Sequence, residues 1–192
     1  NIYYQSGILF ISDNNRSSQN WVQDYEKVLK RGIKDIKEDA QKRLTEIRAW
    51  DKMTKGIFLE ACITCCDAIV TWANRYADEA ERLANLAETT EKRRQELNKI
   101  AAICRKVPEY PAETFQEALQ SEWFVYMFTR LEELVAGSLS LGRLDQILWP
   151  YYEKDIREGR ITRDEARELL ESVWVNLSEA LVILVSPAGG SF

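Results

Sequence analysis

The stretch Gly142-Arg-Leu-Asp-Gln-Ile-Leu-Trp-Pro-Tyr-Tyr-Glu-Lys-Asp155, followed by Glu158-Gly-Arg-Ile-Thr-Arg163, decides how this chain is read. It begins where Gly137-Ser-Leu-Ser-Leu-Gly142 forms the one clear turn or extended element in the second half. Asp145 stands where a carboxylate can accept a free backbone N–H and cap a helix from Gln146 onward. Thr162-Arg-Asp-Glu165 then has the spacing of a capping box, in which hydroxyl and carboxylate each satisfy a backbone donor of the first turn. It launches a helix carrying Ala166, Leu169, Leu170, Val173, Trp174, Leu177 and Leu181.

The same helical grammar extends upstream. Thr114-Phe-Gln-Glu117 is a second capping box, opening a helix with Phe115, Leu119, Trp123, Tyr126, Met127 and Leu131 facing inward. Before it, Leu97, Ile100, Ala101 and Cys104 recur at helical spacing, and Pro108 and Pro111 end that run. A long helix capped by Asp51 is expected to bury the seam Phe58, Cys62, Cys65, Ile69, Trp72 and Tyr76 and to break around Glu88–Thr90. Asp24–Ala49 reads as a charged helix with a thin stripe of Val28, Leu29, Ile33, Ile36 and Leu44. Residues 1–20 read as an irregular lead-in with a strand-like Gly7–Ser12. The expected fold is therefore mainly α, with at most one or two short strands.

Composition narrows the chemistry. The 192 residues include no histidine, which removes Ser-His-Asp and Cys-His nucleophile systems, HExxH zinc sites and any imidazole switch. With 26 Lys+Arg against 31 Asp+Glu the net charge is −5, so nothing draws the chain to phosphate backbones and nucleic acid is not an expected partner. No uninterrupted apolar run reaches the ~18 residues of a bilayer span, so no membrane is expected. Cys62, Cys65, Cys66 and Cys104 lie in helical sequence. The CxxC of Cys62 and Cys65 has neither a second pair nor an exposed helix start, so these are read as core thiols of a reduced, cytoplasmic protein.

The ordered blocks together closely resemble the glycyl radical enzymes of the pyruvate formate-lyase superfamily. The resemblance rests on the Gly142–Gln146 turn, Leu148–Asp155, Glu158–Arg163 and the run through Glu171. Upstream it is carried by Asp24-Tyr-Glu-Lys-Val-Leu29, Ala73-Asn-Arg-Tyr-Ala77, Cys104 with Val107-Pro108, and Thr114–Ser121 with Trp123-Phe124. It covers about Trp21 to Ala180, so 21–180 reads as a partial domain of this type and 181–192 as a divergent tail. The resemblance implies the helical N-terminal portion of an α/β barrel whose whole form uses a glycyl and a thiyl radical to make or break C–C or C–X bonds. Formate acetyltransferases, dehydratases, lyases and aryl- or alkylsuccinate synthases are of this kind. It further implies a radical-SAM activating enzyme, a homodimer, a small-molecule substrate and anaerobic metabolism, with no bound cofactor besides the organic radical.

The family's Gly-Cys-x-Glu and Arg-Val-x-Gly loops have no counterpart in this sequence, so no catalytic residue is assigned, and the chain alone is expected to show no glycyl radical. By the resemblance, the loop before Gly142 lines the barrel mouth and Asp145 belongs to the hydrogen-bonding set near a substrate hydroxyl. Capping the helix is its equal alternative. Arg143 is expected in a buried ion pair, with a substrate contact as the second reading. Gly137, eight residues before Asp145, stands where the diol-dehydratase branch usually carries His and the choline-lyase branch Tyr. Leu141 replaces a frequent Pro, and Gln19-Asn20 a common Gly-His. Loss of the polar hook at Gly137 argues against glycerol or propanediol and for a larger or more apolar substrate, as in the aryl- and alkylsuccinate synthases. A stand-alone helical scaffold binding a partner through its apolar faces is the competing expectation.

Overall fold

The computed structural model describes residues 22–132 and 139–185. The lead-in 1–20 with its strand-like Gly7–Ser12, Gly137, and the tail from 186 lie outside the described residues. Among the described residues six α-helices follow one another: α1 Tyr25–Glu46, α2 Ile57–Ala84, α3 Glu91–Lys106, α4 Phe115–Glu132, α5 Leu144–Arg157 and α6 Arg163–Val185. Among the described residues the only extended pairing is a parallel bridge between Val22 and Ser140. The mainly α expectation holds.

Side chains cap four of these helix starts. Asp24 accepts from the Lys27 N–H at 3.2 Å and Thr90 from the Arg93 N–H at 3.3 Å. Thr162 accepts from the Glu165 N–H while Glu165 accepts from the Thr162 N–H at 2.8 Å, a complete capping box. At α4 the Thr114 hydroxyl likewise takes the Glu117 N–H, but the Glu117 carboxylate reaches back to the Glu113 N–H and to the Lys106 ammonium. The buried Asp155 of α5 provides the other half of this cap, accepting the Phe115 N–H at 2.7 Å.

Asp51 caps nothing. A 3-10 turn (Ala49–Asp51) and a π turn (Lys52–Gly56) precede α2, and Asp51 pairs with Lys55 instead. The buried seam of α2 also differs from expectation. It runs Ile69, Ala73, Ala77, Ala80 and Ala84, while Phe58 and Tyr76 are exposed and Trp72 is half-buried. Small side chains let α2 approach α3 closely, so Leu97, Ala101 and Cys104 pack onto alanines, joined by Phe124 of α4. Of the cysteines only Cys104 is a core thiol, and burial pushes it up to about 11; Cys65 is exposed. The window around α2 is long and apolar enough, by length and composition, to cross a membrane, contrary to the expectation of no such segment. Here it is a bundle helix, with Asp67 paired to Lys37 of α1 and Asp78 to Arg105 of α3.

The second core gathers Leu29, Val107, Phe115, Leu119, Leu148 and Ala166, drawn from α1, α4, α5, α6 and the α3–α4 connection. This core fixes α5, and with it the turn at Gly142, against the start of α1. α4 is central to both clusters and carries buried residues on several faces, including Ser121, Glu122 and Arg130.

Candidate functional site

The expected site lies at the N-terminus of α5. Gly142 takes a positive φ of 69°, which favours glycine, and a Cβ there would stand 2.9 Å from the Cγ1 of the exposed Val22, which would have to shift. Its N–H donates to the Ser140 hydroxyl at 3.0 Å. Immediately after it, the Arg143 guanidinium donates to both Asp145 oxygens, at 3.2 and 3.1 Å. Those N–H groups hold the Asp145 carboxyl below the usual carboxylate range.

The pair is exposed on both sides, not buried as expected for Arg143, and the α5 N-cap position falls on Arg143 with no side-chain cap. An exposed pair contributes little stability. What it does is orient: the two-point contact fixes the guanidinium and carboxylate planes against each other, and Arg143 itself lines a cleft of about 490 Å3 with Gln23, Tyr25, Lys30, Gln146 and Tyr151. The structure thus brings Arg143 and Asp145 together. Gly137 lies outside the described residues.

Behind this surface sits a polar group that periodicity did not reveal. Tyr25, 1% exposed, places its hydroxyl 2.7 Å from the Gln23 Oε1 and 3.2 Å from the Ser140 carbonyl. Glu122 of α4 is 2% exposed, and neither of its oxygens has a hydrogen-bond partner among the described residues. Burial pushes its carboxyl up to about 8, and burial together with Glu122 and Tyr126 pushes the Tyr25 phenol up as well. The one signal for Tyr25 in the sequence was its place in the Asp24–Leu29 block. Glu122 had none, being a charged residue between Ser121 and Trp123 on a helix whose inward face was read from large apolar residues.

The sign of the Glu122 shift fixes a pH dependence. The folded state keeps this proton up to about pH 8, while the unfolded chain loses it from about 4.5, so stability falls across that window as pH rises and levels off above it. Glu122→Gln, neutral throughout, is expected to stabilise the full-length gene product. The gain should grow by about 2 kcal/mol between pH 5 and 8, relaxation and water penetration softening the full penalty. Urea denaturation at the two pH values checks it; a gain independent of pH contradicts it.

Comparison with known proteins places this geometry in a family. The pyruvate formate lyase-like family model matches residues 1–185. The isethionate sulfite-lyase of Oleidesulfovibrio alaskensis is 50% identical over 180 residues, covering 92% of this chain and 22% of that protein. Enzymes of the same name from three further bacteria are 48, 44 and 42% identical. Among solved structures, one on 1,2-propanediol dehydration in Roseburia inulinivorans matches with a TM-score of 0.73 and 46% identity over 80% of this chain and 18% of that one. Hydroxyproline dehydratase from Clostridioides difficile, with trans-4-hydroxy-L-proline bound, matches with a TM-score of 0.79 and 36% identity over 91% of this chain and 22% of that one.

The chain belongs to the pyruvate formate lyase-like family. Its relatives are glycyl radical enzymes, and it spans about a fifth of their length.

Proposed function

We propose that this chain is part of a glycyl radical lyase that cleaves a carbon–heteroatom bond in a small polar substrate, and that the substrate is isethionate, with sulfite as the leaving group. The observation that carries this reading is the run of four isethionate sulfite-lyases at 42 to 50% identity, each matched over 180 residues. It replaces the expectation of an apolar, arylsuccinate-type reaction drawn from Gly137 alone. A second reading, diol dehydration, is favoured by the 46% identity to the Roseburia inulinivorans structure. Against it stands Gly137, where the diol-dehydratase branch usually has His.

In this reading the helices form the outer support of a barrel completed by the rest of the gene product, which also supplies the radical glycine and thiyl cysteine. Arg143 and Asp145 contribute to the mouth of the site. Their exposed, mutually oriented pair offers a guanidinium for an anionic group and a carboxylate for a hydroxyl, the two features of a hydroxylated sulfonate. A radical-SAM activating enzyme, a homodimeric assembly and an anaerobic cytoplasm belong to the same proposal. The test is the full-length gene product, activated anaerobically and offered isethionate, propane-1,2-diol, glycerol and trans-4-hydroxy-L-proline in separate reactions. Sulfite release from isethionate, with no turnover of the other three, is expected. Dehydration of propane-1,2-diol without sulfite release moves the assignment to the second reading.

A further inference from the structure

Three contacts converge on the segment Ser140–Arg143 from residues more than a hundred positions earlier. Val22 forms the parallel bridge to Ser140, the Val22 side chain closes on the backbone of Gly142, and the Tyr25 hydroxyl lies against the Ser140 carbonyl. Tyr25 is itself held from below, since α1 begins at this residue and its ring is fully buried. The adjacent hydrogen bonding has a defined solution. One phenolic proton cannot serve two acceptors well, yet both the Gln23 Oε1 and the Ser140 carbonyl face it, while the buried Gln23 Nε2 has no partner. A half-turn of the Gln23 amide lets Nε2 donate to the Tyr25 oxygen and frees the phenolic proton for Ser140. The result is a directed chain, Gln23 to Tyr25 to the Ser140 carbonyl, ending two residues before Gly142 and three before Arg143.

We propose that Tyr25 is a positioning residue that, with Gln23 behind it, fixes the Ser140–Arg143 backbone and so sets where the Arg143–Asp145 pair presents itself to substrate. The proposal rests on the reading of that pair as part of the substrate site. A tyrosine ring serves here for two reasons. It fills the buried space at the head of α1, and its hydroxyl reaches the main-chain carbonyl of Ser140 at 3.2 Å.

Tyr25→Phe in the full-length, anaerobically activated gene product isolates the hydroxyl, because the ring and its packing stay. Expected are glycyl radical content equal to wild type by electron paramagnetic resonance, kcat within about twofold, and KM for isethionate raised about tenfold, the equivalent of one lost buried hydrogen bond. Hydrogen exchange at the backbone amides of Ser140–Arg143 should quicken by about the same factor. Exchange unchanged from wild type overturns the proposal whatever the substrate proves to be. Faster exchange with an unchanged KM overturns the positioning role. If wild type releases no sulfite from isethionate, the functional reading falls on its own, and the exchange of Ser140–Arg143 still decides whether Tyr25 holds the segment. Gln23→Glu, which keeps the size but removes both amide donors, should reproduce the exchange effect; wild-type exchange in that variant contradicts the relay.

Discussion

Replacing Gly32 with alanine is expected to cost about 3–5 kcal/mol of stability, enough to lower the thermal midpoint by roughly 10 °C or more. Within α1 this residue leaves the helical region altogether, with φ 75° and ψ 158°, so the helix is broken in its middle. The break frees backbone groups, and the α3–α4 connection takes them up. The Ile33 N–H donates to the Pro108 carbonyl at 2.9 Å, the Lys34 N–H to Glu109 at 3.0 Å, and the Ala112 N–H to Leu29 at 3.0 Å. Such an approach leaves no room for a side chain. A Cβ on residue 32 would stand 2.5 Å from the Glu109 carbonyl oxygen and 2.8 Å from the Tyr110 backbone. Alanine must therefore accept an unfavourable φ and also push the two segments apart, weakening the three hydrogen bonds between them. Gly159→Ala is the internal control. Its φ of 66° carries the same type of conformational strain, but a Cβ there meets nothing within 4 Å, so a loss of only about 1 kcal/mol is expected. Equal losses in the two variants, read from urea denaturation, would refute the close-approach argument.

Asp155→Ala should destabilise by about 3–5 kcal/mol as well. This carboxylate is 3% exposed and joins three elements: it accepts the Phe115 N–H that opens α4 and receives the Arg160 guanidinium from the turn before α6 at 2.8 and 2.6 Å. Alanine leaves a buried helix N–H without an acceptor and deprives Arg160 of its deepest partner. Arg160→Ala should cost less, because Arg160 is itself partly exposed and the Phe115 N–H keeps its acceptor. A denaturant series on the two single variants and the double variant gives the coupling energy; additivity would show that the pair does not act as a unit.

The features legible in the sequence were those set by local chemistry. The Thr162–Glu165 box and the ends of α2 and α3 depend on residues a few positions apart, and they stand where the sequence places them. The misread features depend on distant partners. The alanine seam of α2 is invisible to a search for large apolar residues, because its value lies in how near α3 comes. The break at Gly32 looked like the interior of a helix until the 108–112 segment was beside it. Asp155 and Glu122 are buried charges on helices otherwise read by their apolar faces, and the first is held by Arg160 nearby and by the Phe115 N–H 40 residues away. At the site, Arg143 and Asp145 were legible through their motif and do form a pair, but its exposure was not. Tyr25 became visible only when the start of α1 met Ser140.

The measurement bearing most directly on the central claim is electron paramagnetic resonance of the full-length gene product after anaerobic incubation with a radical-SAM activating enzyme and S-adenosylmethionine. The account predicts an organic glycyl radical, lost on exposure to air, whose appearance parallels sulfite release from isethionate. A full-length protein that stays radical-free, while the activating enzyme demonstrably cleaves S-adenosylmethionine in the same tube, would contradict it.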